Sequence, residues 1–304
     1  MASGSKKVIY AALIGNALIA VTKFVAATIT GSSAMLAEGI HSVVDTGNQG
    51  LLLFGLRQAK KPASTLYPFG HGKEIYFWSF VVAIMIFAVG AGISIYEGVH
   101  AILAPHSLGS PTINYIVLGL AMIFEGFAWY FAFKEFNHAR GNLSYFDAVR
   151  RGKDPTLFVV LFEDSAAMLG LIVAFIGILI GQLTGNPYFD GGATIIIGVI
   201  LGGTAAWLAY ETKGLLIGES ADTRVIAGIR EIARGTQGVV HVNEVLTMHM
   251  GPEFILVNLS IDFADNLSAT DVESGIARLD DAIKQSDSNI KRVFIESEAR
   301  KRFA

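Results

Sequence analysis

The chain has 304 residues, of which 52% are hydrophobic and only 16% charged, with 33 glycines and a mean hydropathy of +0.51. A soluble chain of this size carries about 25% charged residues, so the composition is that of an integral membrane protein, and a formal net charge of −3 spread along the sequence argues against a nucleic-acid partner. There is no cysteine, which excludes disulfides, thiolate nucleophiles and thiolate metal sites; a metal ion here must be held by His, Asp, Glu or neutral oxygens.

Six apolar runs reach spanning length, at about Val8–Thr30, Ser32–Leu56, Tyr76–Leu103, Asn114–Phe133, Thr156–Ile180 and Asp190–Tyr210. The first is too long for a signal h-region and no small-residue cleavage site follows it, so it reads as a retained helix. The connections alternate in charge. Lys6-Lys7, the second connection (Arg57, Lys60, Lys61, Lys73) and the fourth (Lys134, Arg140, Arg150, Arg151, Lys153) are basic, whereas Gly31-Ser32, Pro105–Asn114 and Gln182–Phe189 carry no Lys or Arg. By the positive-inside rule both termini face the cytoplasm, and the chain is a multi-pass protein of a bacterial inner membrane. Beyond Thr212 the composition turns charged and mixed, which places a boundary between a transmembrane domain at 1–212 and a cytoplasmic domain at 213–304.

The tail predicts a small α+β domain. Asp222-Thr223 caps a helix to about Arg234, Val239–Met250 and Phe254–Phe263 are strand-like around the Gly251-Pro252 turn, Ser268 or Thr270 opens a helix to about Gln285, and Lys291–Ser297 alternates as a last strand. Helix, strand, strand, helix, strand is a ferredoxin-like αββαβ order, with two helices on one face of a three-stranded sheet and an open face that invites self-association.

Chemistry concentrates within the second run. At 100° per residue Glu38, His41, Asp45 and Asn48 fall within about 80° of arc, one polar stripe on an apolar helix. An ionisable residue at membrane depth costs about 2.5–3.5 kcal/mol on insertion scales, so such a stripe faces other helices or a water-filled path. His41 and Asp45 at i and i+4 put two donors on one side, as a metal ion needs. The fifth run supplies Glu163-Asp164 inside a wholly apolar context, and the two helices together offer a four-coordinate set suited to Zn²⁺ and open to Mn²⁺, Fe²⁺ or Co²⁺. Glu38 and Asn48 read as direct donors or as residues that hold His41 or a water. Lys23, inside the first run, snorkels or pairs with a carboxylate, and Glu125 is a gate residue or its partner. A second cluster, Tyr67-Pro-Phe-Gly-His71-Gly-Lys-Glu74, reads as loop and cap, with His71 as a transient ligand.

These motifs resemble the cation diffusion facilitators, the family that includes the ZnT zinc transporters. The likeness is carried by Gly-Ser-Ser-Ala-Met-Leu-Ala-Glu38-Gly-Ile-His41-Ser-Val-Val-Asp45, by Tyr67-Pro-Phe-Gly-His71-Gly-Lys-Glu74 and by Asp190-Gly-Gly-Ala onward to Leu-Leu-Ile-Gly-Glu219. The His-Ser-x-x-Asp-x-x-Asn-Gln form with Glu-Asp-Ser-Ala-Ala on the fifth run is most similar to the branch containing the mitochondrial zinc transporter. The resemblance implies a homodimer that exchanges a divalent cation for protons by alternating access, with His41 and Asp45 on the transported ion and partners from the fifth run. The family's fifth-helix His-x-x-x-Asp is absent: Val160 precedes Asp164 by four, and Ala167 follows Glu163 by four. Tyr67 stands where some bacterial members have a loop His, and Asn258, Glu296 and Glu298 stand where they carry tail ligands, while His241 and His249 remain without an obvious partner set, so the resemblance implies a tail that dimerises without a need for metal.

Acid and imidazole must shed protons to hold a cation, which couples the two flows; His41 titrates nearest neutral pH. The expected function is therefore Zn²⁺/H⁺ antiport exporting zinc from the cytoplasm, with the metal as substrate, no organic cofactor and membrane lipid as surroundings. A manganese, iron or cobalt exporter and a transport-inactive scaffold are the alternatives. No His-Glu-x-x-His occurs and no base is marked beside a metal-bound water, which disfavours an intramembrane metallohydrolase.

Overall fold

The computed structural model describes residues 3–105 and 111–300, with side chains at 16–105, 112–145, 147–150 and 152–300. Lys6-Lys7, Arg151 and residues 106–111 of the uncharged connection lie outside the described side chains. Contacts divide the chain into two compact units, Met1–Arg57 with Phe77–Thr212, and Gln58–Tyr76 with Lys213–Ala304.

The first unit is helical: α1 (Ser3–Thr30), α2 (Ser33–Ala59), α3 (Glu74–Met85), α4 (Gly92–Leu103), α5 (Pro111–Arg140), α6 (Tyr145–Arg151), α7 (Pro155–Thr184) and α8 (Tyr188–Ile217), with α3 reaching back into the second unit and α8 continuing into it. A π-helical segment, Ile86–Ala91, joins α3 to α4 as one rod. Among the described residues four helices, Glu74–Leu103, Thr112–Arg140, Pro155–Thr184 and Tyr188–Ile217, are long and apolar enough to cross a membrane. The stripe of ionisable residues that identifies α2 also lowers its hydropathy, which is why the helix with the most sequence signal for chemistry has a weak signal for spanning.

Local sequence sets the helix ends. Gly31, at φ +70°, takes the left-handed turn that ends α1 and lets α2 start two residues later. Asp154 accepts the backbone N–H of Thr156 ahead of Pro155, where the missing proline donor would have no partner in any case. Close packing follows from small residues. A Cβ on Gly98 would lie 2.8 Å from the backbone of Ile195, and one on Gly198 3.0 Å from that of Ile95, so α4 and α8 approach to backbone contact. The most extensive of the other helix contacts in this unit join α5 to α7 and α1 to α5.

In the second unit the order is α9 (Thr223–Gly235), β1 (Val239–Gly251), β2 (Phe254–Phe263), α10 (Ala269–Ser286) and β3 (Ile290–Ser297). β1 pairs antiparallel with β2, and β2 pairs parallel with β3, giving sheet order β1-β2-β3. Alternation along β2 turns Ile255, Val257, Leu259 and Ile261 inward, where they pack with Ile229 and Ala233 of α9 and Leu279 and Ile283 of α10. The opposite face exposes Leu246, Asn258 and Phe294, paired across the three strands. Residues 58–76 belong with this unit: Gly72 meets Gly251 backbone to backbone, leaving no room for a side chain at either position.

Candidate metal-binding site

The stripe on α2 is buried as its periodicity requires: Glu38, His41, Asp45 and Asn48 are each at most 6% exposed. His41 Nδ1 lies 3.3 Å from Asp45 Oδ1, one helical turn on, near enough for charge but misaligned for a hydrogen bond. Both ring nitrogens of His41 and Oδ1 of Asp45 therefore lack hydrogen-bond partners. A buried imidazole kept only for packing normally donates one N–H to a carbonyl or carboxylate. Here the unspent donors are an imidazole nitrogen and a carboxylate oxygen, the pair a divalent cation takes.

α7 brings Glu163 to this pair. Asn48 Nδ2 donates to Glu163 Oε1 at 2.7 Å, and the carboxyl group of Glu163 lies beside that of Asp45. Two carboxyls in such contact hold a proton or a cation between them. Asp164, next in sequence, is also buried but makes no hydrogen bond with the α2 stripe; it interacts electrostatically with Glu163 and with Glu125 of α5. Of the two adjacent acids, Glu163 is thus the one that touches α2. Among the described residues no three His, Asp or Glu side chains converge closely enough to hold a metal ion by themselves, so the four donors do not form a closed tetrahedral cage in this conformation.

Lys23 is fully buried and does not snorkel. Its ammonium donates to Glu38 Oε2 at 3.1 Å and to Ser42 Oγ at 2.8 Å, joining α1 to α2 across the tight turn. Glu38 is consequently spoken for on one oxygen, while Oε1 has no hydrogen-bond partner and points at Gly170 of α7. A Cβ at Gly170 would sit 2.5 Å from that oxygen, so the absence of a side chain there is what lets α7 lie against Glu38. Glu125 is the residue whose place the sequence left most open. It is buried, and it interacts electrostatically with Glu38, Asp45, Glu163, Asp164 and Lys23. An acid in an apolar run of α5 was the available signal, with Lys23 as its foreseen partner; its acidic neighbours were not legible, because they come from two other helices.

His71 lies in the second unit, its ring tilted against that of Tyr67 with centroids 4.5 Å apart, and its Nδ1 is buried without a hydrogen bond. Asn258 sits on the exposed sheet face and His249 is buried on the other face of β1.

The chain is similar in sequence to known proteins over most of its length. The mitochondrial proton-coupled zinc antiporter SLC30A9 of Xenopus laevis is 32% identical over 263 residues, which is 86% of this chain and 47% of that protein. A metal tolerance protein of Arabidopsis thaliana is 30% identical over 261 residues, 85% of this chain and 57% of its own length. The chain spans about half the length of these relatives. The manganese efflux system protein MneP of Bacillus subtilis is 23% identical over 302 residues, 96% of this chain and 95% of MneP. The family model of the cation efflux transmembrane domain matches residues 9–217, the span that holds every residue of the buried polar cluster, and on that match the chain belongs to the cation efflux family.

Proposed function

We propose that the protein is a proton-coupled divalent-cation antiporter that exports Zn²⁺, with His41, Asp45 and Glu163 as the donors that grip the ion. The observation that carries this reading is the set of unspent donors at membrane depth, both His41 nitrogens and Asp45 Oδ1, beside a carboxyl of α7. A dication entering between α2 and α7 displaces protons from Asp45 and Glu163 and releases them. Asn48 holds Glu163 in place and turns its own carbonyl oxygen toward the ion, with Asp164 as the acid that receives protons on the side of Glu125. Metal affinity then falls as pH drops, because protons compete for the same oxygens and ring nitrogens. The zinc antiporter SLC30A9 supports this choice of metal and of coupled ion.

In this reading six helices span the membrane, α1 and α2 among them, both termini lie in the cytoplasm of a bacterial cell, and residues 213–304 form a ferredoxin-like domain that pairs with a second copy. Support comes from the alternation of basic and uncharged connections and from the apolar face at Leu246 and Phe294. Manganese is the second reading, favoured by the end-to-end alignment with MneP. Purified protein in liposomes with an imposed pH gradient, offered Zn²⁺, Mn²⁺, Fe²⁺ or Co²⁺ in turn, is the test. Zinc uptake that collapses with the gradient is expected; absence of gradient-dependent flux for all four metals overturns the transport reading.

A further inference from the structure

The helix that carries His41 and Asp45 is not capped by its own chain neighbourhood alone. The first backbone N–H groups of a helix have no partner within it, and in a membrane no water replaces one. At the start of α2 the partner comes from α8. Asp190 Oδ2 accepts from the backbone N–H of Ser33 at 2.7 Å, from the Ser33 hydroxyl at 2.7 Å and from the Ala34 N–H at 3.4 Å, while Oδ1 accepts from the Ser32 hydroxyl at 2.6 Å. Ser32 Oγ in turn accepts the Met35 N–H at 3.2 Å. One turn further along α8, Thr194 Oγ1 lies 2.9 Å from Ser33 Oγ. On the other side of the turn Thr30 Oγ1 donates to Asn114 Oδ1 of α5 at 2.9 Å. All six of these polar residues are buried.

We infer that Asp190 is a positioning residue for transport, a cap lent by α8 that fixes the first turn of α2 as a pivot about which the site-bearing part of that helix swings. The inference rests on the transport reading above. α8 is itself held at backbone contact by α4 through Gly98 and Gly198, so the cap is anchored in a rigid pair. From Ser33 to His41 is eight residues and to Asp45 twelve, about 12 and 18 Å at 1.5 Å per residue. A tilt of about 10° at the pivot moves the two donors by about 2 and 3 Å, enough to part them from Glu163, and moves the far end of α2 by about 7 Å. Fixing one end thus converts a small rotation into opening at the other. Sliding of α2 along its axis would instead strip the cap of its hydrogen bonds at membrane depth.

The test uses the full chain in liposomes with zinc flux under a pH gradient, reading maximal rate and apparent KM separately. Asp190→Ala is expected to lower the maximal rate at least about tenfold with KM within about threefold of the unsubstituted protein, Asp190→Asn to fall between, and Asp190→Glu to recover part of the rate. Should Asp190→Ala not fold, as judged by size-exclusion chromatography, Ser33→Ala takes its place, with a two- to fivefold lower rate expected. A maximal rate within twofold of the unsubstituted protein for the variant that folds overturns the pivot, and so does a KM that rises in step with the loss of rate. No flux from the unsubstituted protein overturns the transport reading instead, which keeps the two failures apart.

Discussion

The polar clusters of the membrane unit and of the tail are built to opposite plans. In the tail, α10 opens with a capping box in which Ser268 and Asp271 exchange side-chain and backbone hydrogen bonds three residues apart, in full contact with water. In the membrane unit, Lys23, Glu38, Asp45, Glu125 and Glu163 come from four helices, spread over 140 residues, and are screened by nothing. The local cluster follows from adjacent letters and carries a modest, replaceable share of stability. The dispersed one exists only when the bundle is packed, and each member is costly to orphan, because a buried charge without its partner has no solvent to fall back on. That difference teaches where function sits: the cluster that is expensive to keep is the one worth perturbing.

Perturbations at four levels of effect sharpen the contrast. The largest effect is expected from Asp45→Ala, which removes the carboxylate lying beside both His41 and Glu163; zinc flux in liposomes should fall by on the order of 100-fold or more, and Asn48→Ala, which frees Glu163, by about 10- to 100-fold. Flux near the original level in Asp45→Ala would make the cluster structural rather than functional. Next, Lys23→Met leaves Glu38 buried without its cation and should cost about 3–5 kcal/mol of stability, read as a lowered Tm of the detergent-solubilised protein, while adding Glu38→Gln should return part of it. An unchanged Tm in Lys23→Met would show that the pair is not a structural tie.

Gly170→Ala is expected to come third. Its methyl group meets Glu38 Oε1, so α7 must shift or Glu38 must turn, at about 1–3 kcal/mol, with flux reduced along with it; Gly228→Ala on α9, where no atom lies within reach of an added Cβ, is the matched control and should leave both intact. The smallest effect belongs to the tail. The hydroxyl and backbone N–H of Ser268 donate to Asp271 and hold its carboxyl below the usual carboxylate range. The contribution is present above the unfolded-state pKa of about 4 and is lost as pH falls through the lowered folded-state value. The protection of the first-turn amides of α10, measured as exchange relative to the intrinsic rate at each pH, should therefore fall at low pH, and Ser268→Ala should weaken that pH dependence. Protection factors that are the same at every pH in both proteins would mean that the box contributes nothing.

How much of this was legible depended on whether the partners lie along one helix. The α2 stripe follows from periodicity alone, and burial of Glu38, His41, Asp45 and Asn48 is what that arc requires. The strands and helices of the tail follow from alternation and turn residues: the β1–β2 hairpin turns at Gly251-Pro252, and the capping box marks α10. Partner choice was not legible. Lys23 had an unspecified carboxylate, with Glu125 the one named, as its candidate partner, and only the turn at Gly31, which folds α1 back on α2, brings it to a direct bond with Glu38. Whether Glu163 or Asp164 meets α2 depends on the rotation of α7, which an apolar context on both sides leaves undetermined. The short helix α6 and the π-helical segment were not foreseen, the first because seven residues carry little periodicity and the second because its cause is packing.

The π-helical segment at Ile86–Ala91 acts as a phase shifter. Bonds from residue i to i+5 admit one residue more than an α-helical turn would, so the azimuth of everything after it is offset by about 100° from the phase set by α3. Tyr76, Ser79 and Val82 point inward in one phase, and Ser94 and Gly98 point inward in the other. Losing a single residue between 86 and 91 would restore an unbroken spiral and rotate Gly98 off Ile195, trading a backbone-deep groove against α8 for whichever branched side chain came round in its place. Length in this stretch is thereby as tightly constrained as residue type is elsewhere in the rod.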